Sequence, residues 1–446
     1  MTEPDRSVSR SKRVKANIIA LMARKGLGAA LSYLLVPLLL DYLDPLRYGV
    51  WITMVSVVGW LYLFDIGLGN GMQNALASAI AKKDLHMGKV VVSTTYYVMS
   101  LIAVGLLILT SALFAVIDWG GMFNVTGMIA EDVAYGLTIT VAFYLVQLVV
   151  RLVGVVLTAD ERPAIAGYFS TAGTVLTLIL VVIVKQYVPG SIALLALIMG
   201  VANLIPPVVA SAILYRSHYK DIRPSWRTVD IRQAPQLFTL GVKFLVIQIS
   251  AMVIYTTDSM IIVQMFSPED VTPYALAAKY VGISTIVFGI ILKPMWASFT
   301  QAHVMGEYVW INRVIKKLFA LWTLVAGVTA LLVIASPWVY EMWIGDAVKI
   351  PLALTIAMGV HVVVFNYGQI FSKYLNGVGK LQVQYWLSVI TALLNIPLSI
   401  VLAGPCGLGT VGVILGTILT NIPVVIASSY QYYLLSNDRA IGLWNR

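Results

Sequence analysis

Charge and cysteine are both scarce in this chain of 446 residues. Only 11% of the residues are Asp, Glu, Lys or Arg, and 59% are hydrophobic, whereas a soluble domain carries about 25% charged residues. The mean hydropathy is +0.88. This composition excludes an ordinary soluble domain and indicates an integral membrane protein.

The chemistry-bearing residue types are equally sparse. A single cysteine, Cys406, excludes an internal disulfide framework and a cysteine-based metal cluster, and the four histidines show no ligand spacing. The sequence contains no GxxxxGK[ST] phosphate loop, so ATP is not expected as the direct energy source. No cofactor and no metal are predicted.

Long apolar runs fill the chain and predict about twelve transmembrane helices, since about 20 residues span a bilayer. The runs do not alternate apolar and polar residues as the strands of a membrane barrel do, so the predicted class is an all-α polytopic membrane protein. The predicted spans are 14–40, 48–74, 90–117, 132–158, 164–187, 191–215, 237–266, 273–302, 313–340, 351–375, 382–403 and 409–435.

The positive charges favour one set of predicted loops. If the N-terminus is cytoplasmic, 20 of the 30 Lys and Arg residues lie on the cytoplasmic side and three lie in external loops. This asymmetry predicts that both termini are cytoplasmic. It also accounts for most of the net charge of +10 without a nucleic-acid partner, because basic loops are attracted to anionic membrane lipids.

A weak internal repeat divides the chain into two lobes. A shift of 217 residues aligns Ile205–Ser211 (IPPVVAS) with Ile422–Ser428 (IPVVIAS). The predicted lobes are 1–217 (helices 1–6) and 237–446 (helices 7–12), joined by a cytoplasmic linker at 218–236. With six spans each, the lobes are parallel repeats, and such transporters bind their substrate where the repeats meet. A central cavity is therefore expected.

Charged residues inside the first lobe's spans are candidate site residues, because charge at membrane depth is costly unless it faces a cavity or a partner. Arg24 and Lys25 lie about ten residues into the first span, and Asp65 lies at a similar depth in the second span. An ion pair between Asp65 and one of these cations is one interpretation. The alternatives are cations that snorkel to the headgroups and an Asp65 that has a structural role in a glycine-rich helix.

The second lobe holds a comparable set of charged residues. Asp258 and Lys279 lie at similar depths on adjacent spans and are predicted to pair, while Lys243 and Lys293 either face the cavity or snorkel. His361 lies in the middle of its span, as a packing residue or a proton-linked one. Embedded Lys and Arg outnumber the embedded acids, which favours an anionic substrate and disfavours an exporter of organic cations.

Several segments resemble one known family. Tyr48–Trp51 (YGVW), Trp60–Ala77 (WLYLFDIGLGNGMQNALA), Tyr255–Asp258 (YTTD) and Leu375–Gln382 (LNGVGKLQ) are similar to the bacterial polysaccharide flippases. These O-antigen and exopolysaccharide repeat-unit translocases belong to the multidrug/oligosaccharidyl-lipid/polysaccharide exporter superfamily. The resemblance covers essentially the whole chain.

The resemblance implies an alternating-access flippase, not an enzyme, in the bacterial cytoplasmic (inner) membrane. It would move an undecaprenyl-pyrophosphate-linked oligosaccharide for surface polysaccharide assembly, using an H⁺ or Na⁺ gradient or the membrane potential. Arg24 and Lys25 then match the family's basic pyrophosphate site, and Lys243, Lys279 and Lys293 would line the cavity. Asp65 and Asp258 would balance charge or gate, with Asp65 and His361 as candidates for ion coupling.

Three further expectations concern partners and alternatives. A polysaccharide polymerase or a chain-length regulator is a candidate partner beside the lipid-linked glycan and membrane lipids. A cation-coupled drug antiporter of the same superfamily is the alternative transporter, although the first span carries no acid in its apolar run. A membrane enzyme of envelope glycan assembly is a weaker alternative, because the external loops are short and hold no histidine.

Overall fold

A computed structural model describes most of the chain as helix, and no strand occurs in the part that it describes. Its backbone description covers residues 3–61, 68–114, 116–160, 162–233, 242–293, 295–437 and 439–445. Side chains are described from Gly26 onward, except within those gaps and at 70, 81, 163–164, 233, 242–245, 255, 297, 301 and 304.

Sixteen α-helices are found in the described ranges. The first eight are α1 Glu3–Gly59, α2 Leu68–Ala81, α3 Leu85–Phe114, α4 Trp119–Met122, α5 Gly127–Val150, α6 Leu152–Ala159, α7 Pro163–Val184 and α8 Ile192–Leu214. The others are α9 Val242–Met265, α10 Pro268–Val281, α11 Ile283–Leu292, α12 Met295–Val304, α13 Tyr308–Ile344, α14 Leu352–Val378, α15 Gln382–Ala403 and α16 Gly409–Ser436.

Ten of the described helices are long and apolar enough to cross a membrane, and the bent pair α10 and α11 would make an eleventh span. The predicted all-α polytopic class is therefore confirmed. The count is lower than twelve because the first two predicted spans lie in one helical run, α1, which joins two helices across a kink. Its stretch Gly26–Gly59 has 34 residues, more than the about 20 that one span needs.

A kink at Asp44 divides α1. Asp44 adopts φ 67° and ψ 165°, a conformation that is costly for residues other than glycine. Pro45 follows and explains the extended ψ, because a proline disfavours a helical conformation in the residue before it. The kink thus marks the boundary between the first two spans within one continuous element.

The described residues group into two compact units. Unit 1 comprises 1–44, 61–119 and 127–240, and unit 2 comprises 45–60, 120–126 and 241–446. The second half of α1 is therefore part of unit 2, where Thr272 Oγ1 donates to the Pro45 carbonyl at 2.5 Å. A Cβ at Gly49 would overlap the carbonyl of Pro268, so only glycine fits that contact. The predicted lobe boundaries stay a prediction.

In unit 1 the helices approach closely through small residues, as expected for helices in lipid. A Cβ at Gly200 of α8 would overlap Phe143 of α5, and one at Gly173 of α7 would overlap Asn203 of α8. The N-terminus of α8 is capped by Asp132, whose carboxylate accepts from the backbone N–H groups of Ile192 at 2.6 Å and Ala193 at 3.1 Å. Favourable charge at a helix N-terminus explains this contact.

The linker is docked on unit 1 through three short 3₁₀ turns, Lys220–Ile222, Trp226–Thr228 and Ile231–Gln233. Ser93 of α3 accepts from the Ser225 N–H at 3.0 Å, and Thr94 accepts from the Asp230 N–H at 3.0 Å. The linker up to Gln233 is thus a built part of unit 1 and not a loose connection.

Candidate functional site

The predicted site residues fall into two groups. Arg24, Lys25, Asp65 and Lys243 lie outside the side chains that the structure describes, so their roles stay predictions. The other four all belong to unit 2: Asp258 on α9, Lys279 on α10, Lys293 directly after α11, and His361 on α14.

Asp258 is buried, with 6% of its surface exposed. Its Oδ2 accepts a hydrogen bond from the hydroxyl of Tyr274 on α10 at 2.5 Å. Its Oδ1 is buried without a hydrogen-bond partner among the described residues. The predicted partner, Lys279, lies on the same helix as Tyr274 but is not among the contacts of Asp258. The acid is therefore held inside unit 2 by a neutral hydroxyl.

A buried polar network continues from Asp258 into α15 and α16. Thr417 of α16 lies beside the carboxyl group and accepts from Asn395 Nδ2 of α15 at 3.0 Å. Thr391 donates to the carbonyl of Thr420 at 3.2 Å. The side-chain oxygen of Asn395 is buried and has no described partner. Since unpaired polar atoms are costly in an apolar interior, this network is not explained by packing alone.

A cavity of about 310 Å³ adjoins this network within unit 2. Thr391 belongs to both, and the cavity is an open pocket lined by residues of α9, α14, α15 and α16. Half of its fourteen lining residues are uncharged and polar: Gln369, Ser372, Gln384, Ser388, Thr391, Asn421 and Ser428. No charged side chain is among the described residues that line it.

The sequence carries a signal for this cavity that hydropathy alone does not use. Gln384, Ser388, Thr391, Asn395 and Ser399 recur at intervals of three or four residues along α15, which places them on one helix face. A polar stripe inside an otherwise apolar span indicates a face turned away from lipid. The spacing was sufficient to predict the stripe, but not which helices it meets.

Lysines lie close together near the end of α14. The Lys373 ammonium sits 5.7 Å from the ring centroid of Trp296, a cation–π contact. Lys293, which is exposed, is close enough to repel Lys373. The structure thus places Lys373 against an aromatic ring and beside a second cation. Such a pair is suited to an anion.

His361 stacks on Phe365, with ring centroids 6.0 Å apart and an interplanar angle of 26°. Phe365 in turn lines the cavity. Lys279 is partly buried on α10. The structure therefore brings the cavity, the Asp258 network and His361 together in one unit, and adds Lys373 and Trp296 to the candidate residues.

The chain was compared with known proteins at three levels, and no protein-family model matches it. It is 20% identical over 426 residues to a Yersinia pseudotuberculosis protein provisionally named as an O-antigen export protein, covering 93% of this chain and 94% of that one. It is also 22% identical over 291 residues to a Salmonella typhi protein provisionally named as an O-antigen transporter. That match covers 64% of this chain and 65% of the relative, just under two thirds of its length.

The fold has solved counterparts over nearly the whole chain. A multidrug resistance MATE family transporter of the MOP superfamily, solved in an inward-facing conformation, matches with a TM-score of 0.74 at 14% identity and covers 93% of this chain and 94% of its own. A MOP superfamily transporter from Pyrococcus furiosus, described as having a binding pocket of reverse polarity, matches with a TM-score of 0.63 at 16% identity and covers 95% of this chain and 96% of its own. The resemblance inferred from the sequence is confirmed, and the chain has the fold of these transporters.

Proposed function

We propose that the protein is a flippase that moves an undecaprenyl-pyrophosphate-linked oligosaccharide repeat unit across the bacterial cytoplasmic membrane by alternating access, for surface polysaccharide assembly. Two relatives named for O-antigen transport or export support the substrate class. The fold of MOP superfamily transporters supports a transport mechanism, and it disfavours an enzyme of envelope assembly.

The observation that carries the proposal is the charge of the described interior of unit 2. Lys279 and Lys373 are partly buried within candidate helices, while Asp258 is the single buried acid among the described residues. That acid is already hydrogen-bonded to Tyr274. A cationic excess favours a pyrophosphate, because charge-assisted contacts to phosphate are strong where water is excluded.

The remaining roles are proposed on the same basis. Arg24 and Lys25 hold the pyrophosphate, with Arg24 preferred because a guanidinium binds phosphate in a bidentate manner. Lys243, Lys279 and Lys293 extend the cationic surface. Asp65 and Asp258 balance the charge.

The proposed energy source is the one that the family resemblance implies, and the sequence contains no GxxxxGK[ST] phosphate loop. Transport is driven by an H⁺ or Na⁺ gradient or by the membrane potential, with Asp65 and His361 as the coupling residues. Both termini face the cytoplasm, where the basic loops meet anionic lipids. A polysaccharide polymerase or chain-length regulator is the proposed protein partner.

The test uses liposomes that contain the purified protein and an undecaprenyl-pyrophosphate-linked glycan. A glycan-modifying enzyme added outside reports how much of the lipid becomes accessible. Wild type should expose the inner-leaflet pool, and the double variant Arg24→Ala, Lys25→Ala should not. The matched control is Lys82→Ala with Lys83→Ala, because these two exposed lysines lie at the inner end of α2. A wild-type protein that exposes no more glycan than empty liposomes would contradict the proposal.

A drug antiporter is the second candidate, favoured by the fold likeness to a multidrug resistance transporter and by the buried carboxyl group of Asp258. The two candidates differ in the charge of their cargo. Uptake of an organic cation into the same liposomes, coupled to a proton or sodium gradient and abolished by Asp258→Asn, would favour the antiporter.

A further inference from the structure

The lining of the unit 2 cavity combines apolar wall with seven uncharged polar residues, and no charged residue is among its described lining residues. Hydroxyl and amide groups from three helices meet there, while Phe365 and several aliphatic residues provide the rest of the wall. The absence of charge among its described lining residues argues against a site for the pyrophosphate itself, which calls for cations, and against a site for a metal ion, which calls for carboxylates or other strong ligands.

Several lining groups have hydrogen-bonding capacity that the protein does not use. The Oε1 of Gln384 is buried and has no described partner, and its Nε2 makes only a long bond of 3.4 Å to Ser372. The Asn421 amide donates to the Thr417 carbonyl at 2.7 Å, which leaves its oxygen available. Polar groups inside a membrane protein that leave hydrogen-bonding positions unfilled indicate a bound polar ligand or water.

The size of the cavity limits the ligand. Its volume of about 310 Å³ lies at the lower end of the 300–1,000 Å³ range of small-molecule sites. It therefore suits a small polar ring and not a long glycan or a polyprenyl chain. Adjacent amides and hydroxyls can both donate and accept, which matches the hydroxyl and N-acetyl groups of a sugar, and Phe365 offers an apolar ring face.

A pair of lysines lies near the lining residue Ser372. Ser372 lines the cavity, and the next residue, Lys373, lies over Trp296 with Lys293 nearby. Adjacent residues on a helix point about 100° apart, so Lys373 flanks the wall that α14 contributes and does not line the cavity.

We infer that this cavity is a subsite for an uncharged sugar of the lipid-linked glycan, whose pyrophosphate is assigned above to Arg24 and Lys25. The inference rests on the proposed function and adds where the first sugars bind. It predicts that the protein distinguishes a glycosylated lipid carrier from the bare carrier, and that residues of α15 and α16 make this distinction.

The test measures binding of purified full-length protein in nanodiscs to three probes: undecaprenyl pyrophosphate, and the same lipid carrying N-acetylglucosamine or galactose. Wild type should bind at least one glycosylated probe about tenfold more tightly than the bare lipid. This is the gain in affinity expected from two additional hydrogen bonds. The double variant Gln384→Met, Asn421→Leu should lose this preference and keep its affinity for the bare lipid.

A neighbouring pair of serines supplies a milder variant and its control. Ser428 faces the cavity and Ser429 does not, although both lie on α16 one residue apart. Ser428→Ala should reduce the preference about threefold, and Ser429→Ala should leave it unchanged. Thermal unfolding of each variant shows whether it is folded as the wild type is.

The outcomes separate the two proposals. Wild type that binds the bare and glycosylated lipids equally, or variants that keep the wild-type preference, would overturn the sugar subsite and leave the flippase standing. Variants that weaken all three lipids equally would also overturn it, since that result reports lost packing. Wild type that binds none of the lipids would overturn the proposed function itself.

Discussion

The two units differ in what they bury. Of the twenty buried polar or charged residues among the described side chains, sixteen belong to unit 2 and four to unit 1. The four in unit 1 are hydroxyl residues, Ser93, Thr94, Thr95 and Thr177, whereas unit 2 also buries Asp258, Asn366, Asn395 and Gln431. Polar groups inside a membrane protein cost stability, so the interior of unit 2 carries a larger polar cost than the described interior of unit 1.

The largest expected effect on stability comes from substituting an asparagine into the interior of each unit. Leu148 of α5 is fully buried in unit 1, and Ile254 lines the cavity of unit 2. Leu148→Asn should lower stability by about 3 kcal/mol, because the amide finds no polar partner. Ile254→Asn should cost much less, since the cavity offers polar groups. Thermal unfolding and folded yield in detergent measure both.

Leu148→Met is the control for the change in shape. Equal losses for Leu148→Asn and Ile254→Asn would show that the cavity is as unfavourable to an amide as the core of unit 1, and the contrast between the units would fail.

A second comparison uses two buried tyrosines. Tyr274 donates to the Asp258 carboxyl at 2.5 Å in unit 2, and Tyr215 donates to the Tyr96 hydroxyl at 3.0 Å in unit 1. Tyr274→Phe should cost about 2 kcal/mol, because a bond to a charged group is stronger, and Tyr215→Phe about 1 kcal/mol. Thermal unfolding gives both values, and Tyr274→Phe in an Asp258→Asn background should cost only about 1 kcal/mol. If that background leaves the cost unchanged, Asp258 is not ionised.

A third comparison separates stability from transport. Asn395 has a buried oxygen without a described partner but donates from Nδ2 to Thr417 at 3.0 Å, so Asn395→Leu should lower stability by about 1 kcal/mol and reduce glycan exposure in liposomes severalfold. The matched variant in unit 1 is Asn203→Leu, where the amide donates only to the Met199 carbonyl of its own helix at 2.8 Å. It should leave transport near the wild-type level. Transport that is equally affected by both would argue against a special role for the interior of unit 2.

The smallest expected effect concerns pH. Burial and the nearby Lys380 ammonium hold the pKa of His303, at the end of α12, below its usual value of 6.5. The folded state therefore binds the proton less readily than the unfolded state, so the stability that His303 contributes is present above pH 6.5 and is lost as the pH falls through the folded pKa. In His303→Gln the unfolding temperature should change less between pH 7 and pH 5 than in the wild type. Lys380→Met should also reduce this pH dependence. If the pH dependence of the unfolding temperature remains in His303→Gln, another titratable group causes it.

Much of the architecture was predictable because the hydropathy of a segment depends only on the residue types within that segment. Each of the twelve predicted spans has a helical counterpart in the described residues, and the apolar runs alone determine that number. The first two spans are the exception, because they lie in one helical run that is kinked at Asp44. Hydropathy detects apolar length, but it does not show whether the chain leaves the helix between two apolar runs.

The candidate site was predictable only in part. Asp258, Lys279, Lys293 and His361 were selected because charge inside a span is costly and therefore retained for a purpose. The cavity was missed, because single Ser, Thr, Asn and Gln residues are common in membrane helices and carry little individual signal. Their significance comes from α14, α15 and α16 turning these side chains toward the same space.

The sequence by itself determined the membrane class, the all-helical architecture and the excess of embedded positive charge, because these depend on residue types along the chain. The tertiary structure decided that residues 45–60 belong to unit 2, that Tyr274 is the partner of Asp258, and that polar faces of three helices enclose one cavity. These features depend on how each helix is rotated against its neighbours, and close packing at small residues such as Gly49 and Gly368 fixes that rotation.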